Sequence, residues 1–187
     1  SLFIISYCYL YNKTQDKKYL KKSETLLVRL LSSRLGGSFF WGSAWDYHIK
    51  SLNRKTDPSS VSSSFAGMAL VSYYGITKNN SIKQIIKKLI NYFEDSMTKN
   101  IDFEFYRYRL SSNDFIYNSN SLVLNFLIQA RGLGFNLNEG KMLNLLEEIL
   151  NGLNEEGFWY YNYSTKRIQL DYHQGFIIDM LVEAYNH

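Results

Sequence analysis

The chain has 187 residues, 45% apolar, 20% charged and 17% aromatic, with 11 glycines and one proline. These proportions exclude disordered, collagen-like and low-complexity classes and describe a single globular domain, residues 1–187, able to bury one core. The net charge of +4 comes from 21 basic and 17 acidic side chains. That is too mild for a nucleic-acid binder, and the lone Cys8 excludes a disulfide framework or a cysteine-rich zinc site.

The first element is an apolar run from Leu2 to Tyr11, broken by Ser6. It falls short of the ~18 residues of a membrane span and lacks the cationic flank and cleavage site of a signal peptide. The expectation is a cytoplasmic protein with no membrane span. Because the chain opens at Ser1 inside an apolar segment, N-terminal hairpins are expected to be missing. A short turn, Tyr11 to Thr14, leads to a second helix with Leu20, Leu27, Leu30 and Leu31 on one stripe and Lys17, Lys18, Lys21 and Lys22 on the solvent face.

The same pair then recurs. Phe65 to Tyr74 is an apolar helix, Tyr74 to Thr77 a short turn, and Ile82, Ile86, Leu89, Ile90 and Phe93 an amphipathic stripe, with Lys83, Lys87 and Lys88 opposite. Leu122 to Ala130 and the stripe of Met142, Leu145, Ile149 and Leu153 form a third pair, and Phe176 to Tyr185 closes the chain as a fourth apolar helix. Apolar residues nearly all the way round predict that all four inner helices are buried on most sides. The period shortens from 63 residues between Tyr11 and Tyr74 to 54 between Arg131 and Tyr185. Short turns on one side and long variable loops on the other suit a hairpin array with one functional face.

The long loops carry aromatic clusters: Phe39 to Trp41 with Trp45 to Tyr47, Phe103 to Tyr108, and Phe158 to Tyr163. Aligning His173-Gln174-Gly175-Phe176 with Ser62-Ser63-Ser64-Phe65 places Leu181 on Leu70, and the loops align Trp45 with Trp159. The fold expected is all-α, an incomplete α/α toroid of about seven helices. This pattern resembles the α/α-toroid superfamily of terpenoid cyclases, prenyltransferase β-subunits and six-hairpin glycosidases and lyases. It is similar above all to toroid proteins of polysaccharide gene clusters, through Asn118-Ser119-Asn120-Ser121-Leu122, Glu156-Gly157-Phe158-Trp159-Tyr160-Tyr161 and Asp171-Tyr172-His173-Gln174-Gly175-Phe176. A complete toroid of that kind has about six hairpins, so the resemblance implies a partial one. It also implies that His173 faces the central cavity.

Asp171 and His173 pair a carboxylate with an imidazole, which suits acid–base chemistry. The alternative is that Asp171 only caps the helix. Tyr106 or Tyr172 would assist. Trp45, Tyr47, Arg107, Asn118, Asn120, Trp159 and Tyr161 are the expected cleft lining. Tyrosine and tryptophan rings stack on the apolar faces of sugars while their polar ends stay wet, and Arg107 and Arg109 would pair with a uronate carboxylate. The same rings could instead plug the helical barrel. Asp46, His48, Asp171 and His173 lack metal-ligand spacing, so neither metal nor cofactor is expected.

In the last helix Asp179 and Glu183 lie one turn apart, either as an acid–base pair or as a solvated edge. The functional expectation is a carbohydrate-active or carbohydrate-binding domain acting in polysaccharide synthesis or modification, with an oligo- or polysaccharide as partner. The alternatives are a scaffold pairing through an open edge as a homo-oligomer or with missing N-terminal hairpins, and an isoprenoid cyclase or transferase relative. The last lacks the Asp-x-Asp-Asp acid of the cyclases and the Gln of their repeat, where Leu153 stands.

Overall fold

A computed structural model describes residues 1–43, 47–48, 52–53, 56–99, 103–109 and 111–187. Seven α-helices are described: α1 (Leu2–Thr14), α2 (Lys17–Ser32), α3 (Ser60–Thr77), α4 (Asn80–Ser96), α5 (Tyr117–Gly132), α6 (Glu139–Asn151) and α7 (Tyr172–Asn186). Two small antiparallel ladders lie in the long joints. In one, β1 (Tyr47–His48) pairs with β2 (Leu52–Asn53); in the other, β3 (Met97–Lys99) pairs with β4 (Glu104–Tyr106), with Met97 opposite Tyr106. Where composition suggests one domain, the chain divides into two compact units, Ser1–Tyr92 and Phe93–His187. Their charges are opposite: the first holds 14 Lys and Arg against 4 Asp and Glu, the second 7 against 13.

Side chains at the joints dictate the tight turns. Thr14 and Thr77 each bond back to the carbonyl four residues earlier, and the next residue, Gln15 or Lys78, takes a left-handed conformation with φ of 57° or 52°. The N–H of that residue closes onto Tyr11 or Tyr74. Asp16 and Asn79 follow at once and accept from the first turns of α2 and α4, satisfying orphan helix donors. Thr-x-Asp/Asn is therefore a repeated stop-and-restart signal. The third joint uses Gly134 at φ 81°, with Asn138 capping α6.

In the first unit α1 packs on α2 and α3; in the second, α5 packs on α6 and α7. The expectation of burial all round holds for α3, where Ala66, Ala69 and Leu70 are inaccessible, and for α5, where Val123, Phe126 and Ala130 are. It fails for α1 and α7. Only Ile4 and Cys8 of α1 and Ile177 and Met180 of α7 are buried, while Phe3, Tyr9, Ile178, Val182 and Tyr185 are exposed. An apolar helix buries only the faces that neighbours cover, and within its unit each of these has one face uncovered. Cys8 is a free thiol, and burial pushes its pKa up to about 11, as expected of a structural cysteine. Among the described residues no helix is long and apolar enough to cross a membrane.

Candidate functional site

One contact recurs at the start of three inner helices. In α3, Ser63 Oγ accepts from the Trp41 N–H at 3.0 Å and donates to the Trp41 carbonyl at 3.2 Å. In α5, Asn120 Oδ1 accepts from the Tyr106 N–H at 2.8 Å, while Nδ2 donates to the carbonyls of Tyr106 (3.2 Å) and Ile116 (3.1 Å). In α7, Gln174 Oε1 accepts from the Trp159 N–H at 3.0 Å and Nε2 donates to its carbonyl at 2.8 Å. Each long loop is thus clamped at both backbone groups of one aromatic residue by the helix that follows. Because loop backbone entering a core needs partners, Ser, Asn and Gln here do the work of a strand partner.

The two tryptophans of this repeat match further. The Trp41 indole N–H donates to Leu30 O (2.8 Å) and that of Trp159 to Ile149 O (2.6 Å), each near the end of the preceding outer helix. Trp41, not Trp45, is therefore the counterpart of Trp159, which corrects the alignment expected from sequence. Trp45 and Asp46 lie outside the described residues, and Tyr47 and His48 form β1.

This geometry withdraws two expected sugar-contacting residues, Asn120 and Trp159, and the expected acid–base assistant Tyr106 from a cleft. Asn120 is inaccessible and spent on backbone, Trp159 is 6% exposed with its indole N–H used, and Tyr106 is 2% exposed against Phe93. Burial drives the Tyr106 phenol far above its ordinary pKa, so it stays un-ionised near neutrality and cannot serve as a base. Asn118 is likewise buried, its Oδ1 enclosed with no hydrogen-bond partner among the described residues. Arg109 is buried over the Tyr108 ring, and half-buried Arg107 donates to Thr98 Oγ1 at 3.0 Å. Arg107 thus ties the end of β4 to β3.

Other expected residues come together at the start of α7. Asp171 Oδ1 accepts from the His173 N–H at 2.9 Å and lies 2.5 Å from His173 Nδ1. Asp171 is therefore cap and imidazole partner at once. An ionised carboxylate only accepts, so the Asp171 contact calls for the tautomer with its proton on Nδ1, which leaves Nε2 as the open ring nitrogen. Gln169 Nε2 donates to Asp171 Oδ2 at 3.1 Å and lies 2.8 Å from Nδ1. The backbone N–H of His173, and then its side chain and that of Gln169, hold the Asp171 carboxyl below the usual range.

Aromatic rings frame the pair. Tyr172 stacks on the His173 ring at 4.3 Å and is 68% exposed, and Tyr161 meets His173 edge-on at 5.6 Å. The loop carrying Tyr161 is fastened from below. Asp114 accepts from the Asn162 side chain, the Ser164 N–H (3.1 Å) and the Ser164 hydroxyl (2.7 Å), and Tyr117 N–H donates to Tyr161 O at 3.3 Å. Asp114 and Asn162 were not legible in the sequence because their bond spans 48 residues; Gln169, two and four residues from its partners Asp171 and His173, was also missed.

The remaining constellations are structural or solvated. Gln129 donates to Asn125 Oδ1 at 2.7 Å, Asp179 is exposed, and Glu183 pairs with His187 at 3.1 Å. A polar cleft of about 350 Å³ lies between the β3–β4 ladder and α6, lined by Lys99, Glu104, Lys141 and Glu147 among others. It offers no exposed ring, since its Phe103 is 8% exposed. Among the described residues no three His, Cys, Asp or Glu gather as a metal site.

The sequence matches no family model and no curated protein. Solved structures do match. The GH76 α-1,6-mannanase of Salegentibacter sp. superposes with a TM-score of 0.66 at 15% identity, over 99% of this chain and 54% of that one. A possible member of the GH105 family from Salmonella enterica gives 0.73 at 10%, over 98% and 54%. An unsaturated glucuronyl hydrolase from Streptococcus agalactiae gives 0.70 at 12%, over 97% and 56%. The chain spans about half the length of these structures. Its fold is an incomplete α/α toroid.

Proposed function

With the α/α-toroid fold as premise, we propose that this chain is the carbohydrate-binding portion of a polysaccharide-modifying toroid, with its sugar site at the start of α7. The observation that carries this reading is the Asp171–His173 pair set against the exposed Tyr172 ring. A pyranose lays its C–H face on Tyr172, and its hydroxyls meet the polar heads of Tyr161, Gln169 and His173. His173 Nε2 is the acid–base group, with Asp171 fixing its tautomer. Tyr172 serves as platform; Tyr106 is left out because it is buried and un-ionised.

The solved neighbours support a carbohydrate role, since they include a mannanase, a glucuronyl hydrolase and a polysaccharide lyase. A mannanase variant inactivated at two adjacent aspartates was solved with α-1,6-mannotetrose. This sequence has no two consecutive aspartates, so the chemistry proposed here is not borrowed from that pair. The test is calorimetric titration with a panel of oligosaccharides against the wild type and Tyr172→Ala. Saturable binding that Tyr172→Ala weakens by about tenfold or more supports the site. Binding that this substitution does not touch removes it.

A second reading rests on the exposed apolar residues of α1 and α7 and on the opposite charges of the two units. Uncovered stripes flanked by Lys on one helix and by Asp and Glu on the other suit a scaffold that pairs through its edges. Light scattering over a range of concentration and salt tests it: association that salt weakens favours pairing, and a monomer at every concentration rejects it.

A further inference from the structure

Of the arginines picked from sequence as anchors for an anionic sugar, Arg107 is bound to Thr98 of β3 and Arg109 is buried. The guanidinium that reaches the α7 cluster is Arg167, exposed and lying 5.3 Å over the Tyr161 ring, whose edge meets His173. We infer that Arg167 is the carboxylate anchor of this site and that the sugar it selects is a uronate; this rests on the sugar reading above.

The placement of Arg167 is built rather than incidental. Its N–H donates to Asn162 Oδ1 at 3.3 Å, its carbonyl accepts from the Tyr161 N–H at 2.7 Å, and Lys166 before it turns the chain at φ 47°. Asn162 is itself held by Asp114. The side chain therefore leaves a backbone fixed at two points, which lowers the cost of ordering it on a ligand. The guanidinium lies over the Tyr161 ring, and its planar fork of N–H groups is the donor set that takes a carboxylate bidentately. Among the described residues it forms no ion pair with an acidic side chain.

The charges around the site also set a direction. Asp171 would repel a ligand carboxylate, and its oxygens are already occupied by His173 and Gln169. Arg167, exposed over the Tyr161 ring, attracts one. A sugar stacked on Tyr172 is thus oriented with its anionic group toward Arg167.

The test titrates trigalacturonate and its carboxyl-reduced counterpart into wild type, Arg167→Gln, Arg167→Lys and Tyr172→Ala, with thermal unfolding as a folding control. Wild type should bind the uronate at least about tenfold tighter than the neutral trimer. Arg167→Gln should abolish that preference by weakening the uronate about tenfold more than the neutral trimer; Arg167→Lys should restore only part of it, and Tyr172→Ala should weaken both ligands. Equal binding of the two trimers by wild type, or a preference that survives Arg167→Gln, overturns the uronate inference and leaves the sugar site standing. If neither trimer binds while neutral oligosaccharides of the wider panel do, Arg167 is no anchor. If no glycan binds, the sugar reading itself fails.

Discussion

Replacing Asn120 with alanine removes three hydrogen bonds from a residue that solvent does not reach. The Tyr106 N–H then has no acceptor, and Tyr106 is itself 2% exposed, so water cannot stand in. A buried orphan donor costs about 1–3 kcal/mol, and the lost bond to the Tyr106 carbonyl about 1 more. The Ile116 carbonyl keeps its bond from the Asn120 backbone N–H at 3.0 Å and adds little. The expected loss is about 2–4 kcal/mol, a large share of a typical domain's total stability. Guanidinium unfolding monitored by circular dichroism reads it as a lower midpoint at unchanged slope.

Asn120→Asp provides an internal check. It keeps the acceptor for Tyr106 but faces two carbonyls with a carboxylate, which raises the folded-state pKa of the new acid. Stability that a raised acid pKa confers is present at low pH and lost as pH rises through it, so this variant should gain on the wild type as pH falls. A loss under about 0.5 kcal/mol in Asn120→Ala, the size of an ordinary surface change, would refute the clamp.

The companion clamps should cost less, Ser63 because it makes two such bonds to Asn120's three and Gln174 because it is only part-buried. Ser63→Ala and Gln174→Ala should each cost about 1–2 kcal/mol, less than Asn120→Ala, by the same unfolding assay. Gly152→Ala should destabilise by about 1–3 kcal/mol or more, because its Cβ would lie 2.1 Å from Cε1 of the buried Tyr117 ring; adding Tyr117→Ala should recover part of the overpacking loss. Asp171→Asn tests the acid limb. The folded-state carboxyl is held low, so its contribution exists above the ordinary carboxylate pKa and disappears as pH falls through the lowered value; midpoints of wild type and variant should converge in acid. Cys8, with its thiol raised to about 11, should resist a disulfide reagent at pH 8 in the folded protein and react on unfolding.

Helix positions were legible because a period of 3.6 survives any tertiary context. The existence of the joints was legible but not their place: Tyr11 to Thr14 and Tyr74 to Thr77, expected as turns, are the last turns of α1 and α3, and the chain reverses one residue later, at Gln15 and Lys78. The alignment of Gln174 with Ser63 also holds, and the structure gives its reason: both side chains clamp the backbone of a loop tryptophan. What sequence could not choose was which tryptophan, since Trp41 and Trp45 sit four residues apart in equally aromatic surroundings and the deciding partner is a backbone amide. Asn120 reads equally well as a sugar ligand or a backbone clamp, because a carboxamide offers the same donor and acceptor to either. The exposure of α1 and α7 was hidden for a different reason: an apolar helix has the same composition whether or not a neighbour covers it. Asp171–His173 was legible as cap or as dyad, and one carboxylate serves both.

The most direct test of the account follows the His173 imidazole and Tyr172 ring by NMR while neutral and uronate oligosaccharides are added. The account predicts saturable shifts at these two rings and along residues 161–174. Shifts that map instead to Lys99, Lys141 and Glu147, or no shifts with any glycan, would contradict it.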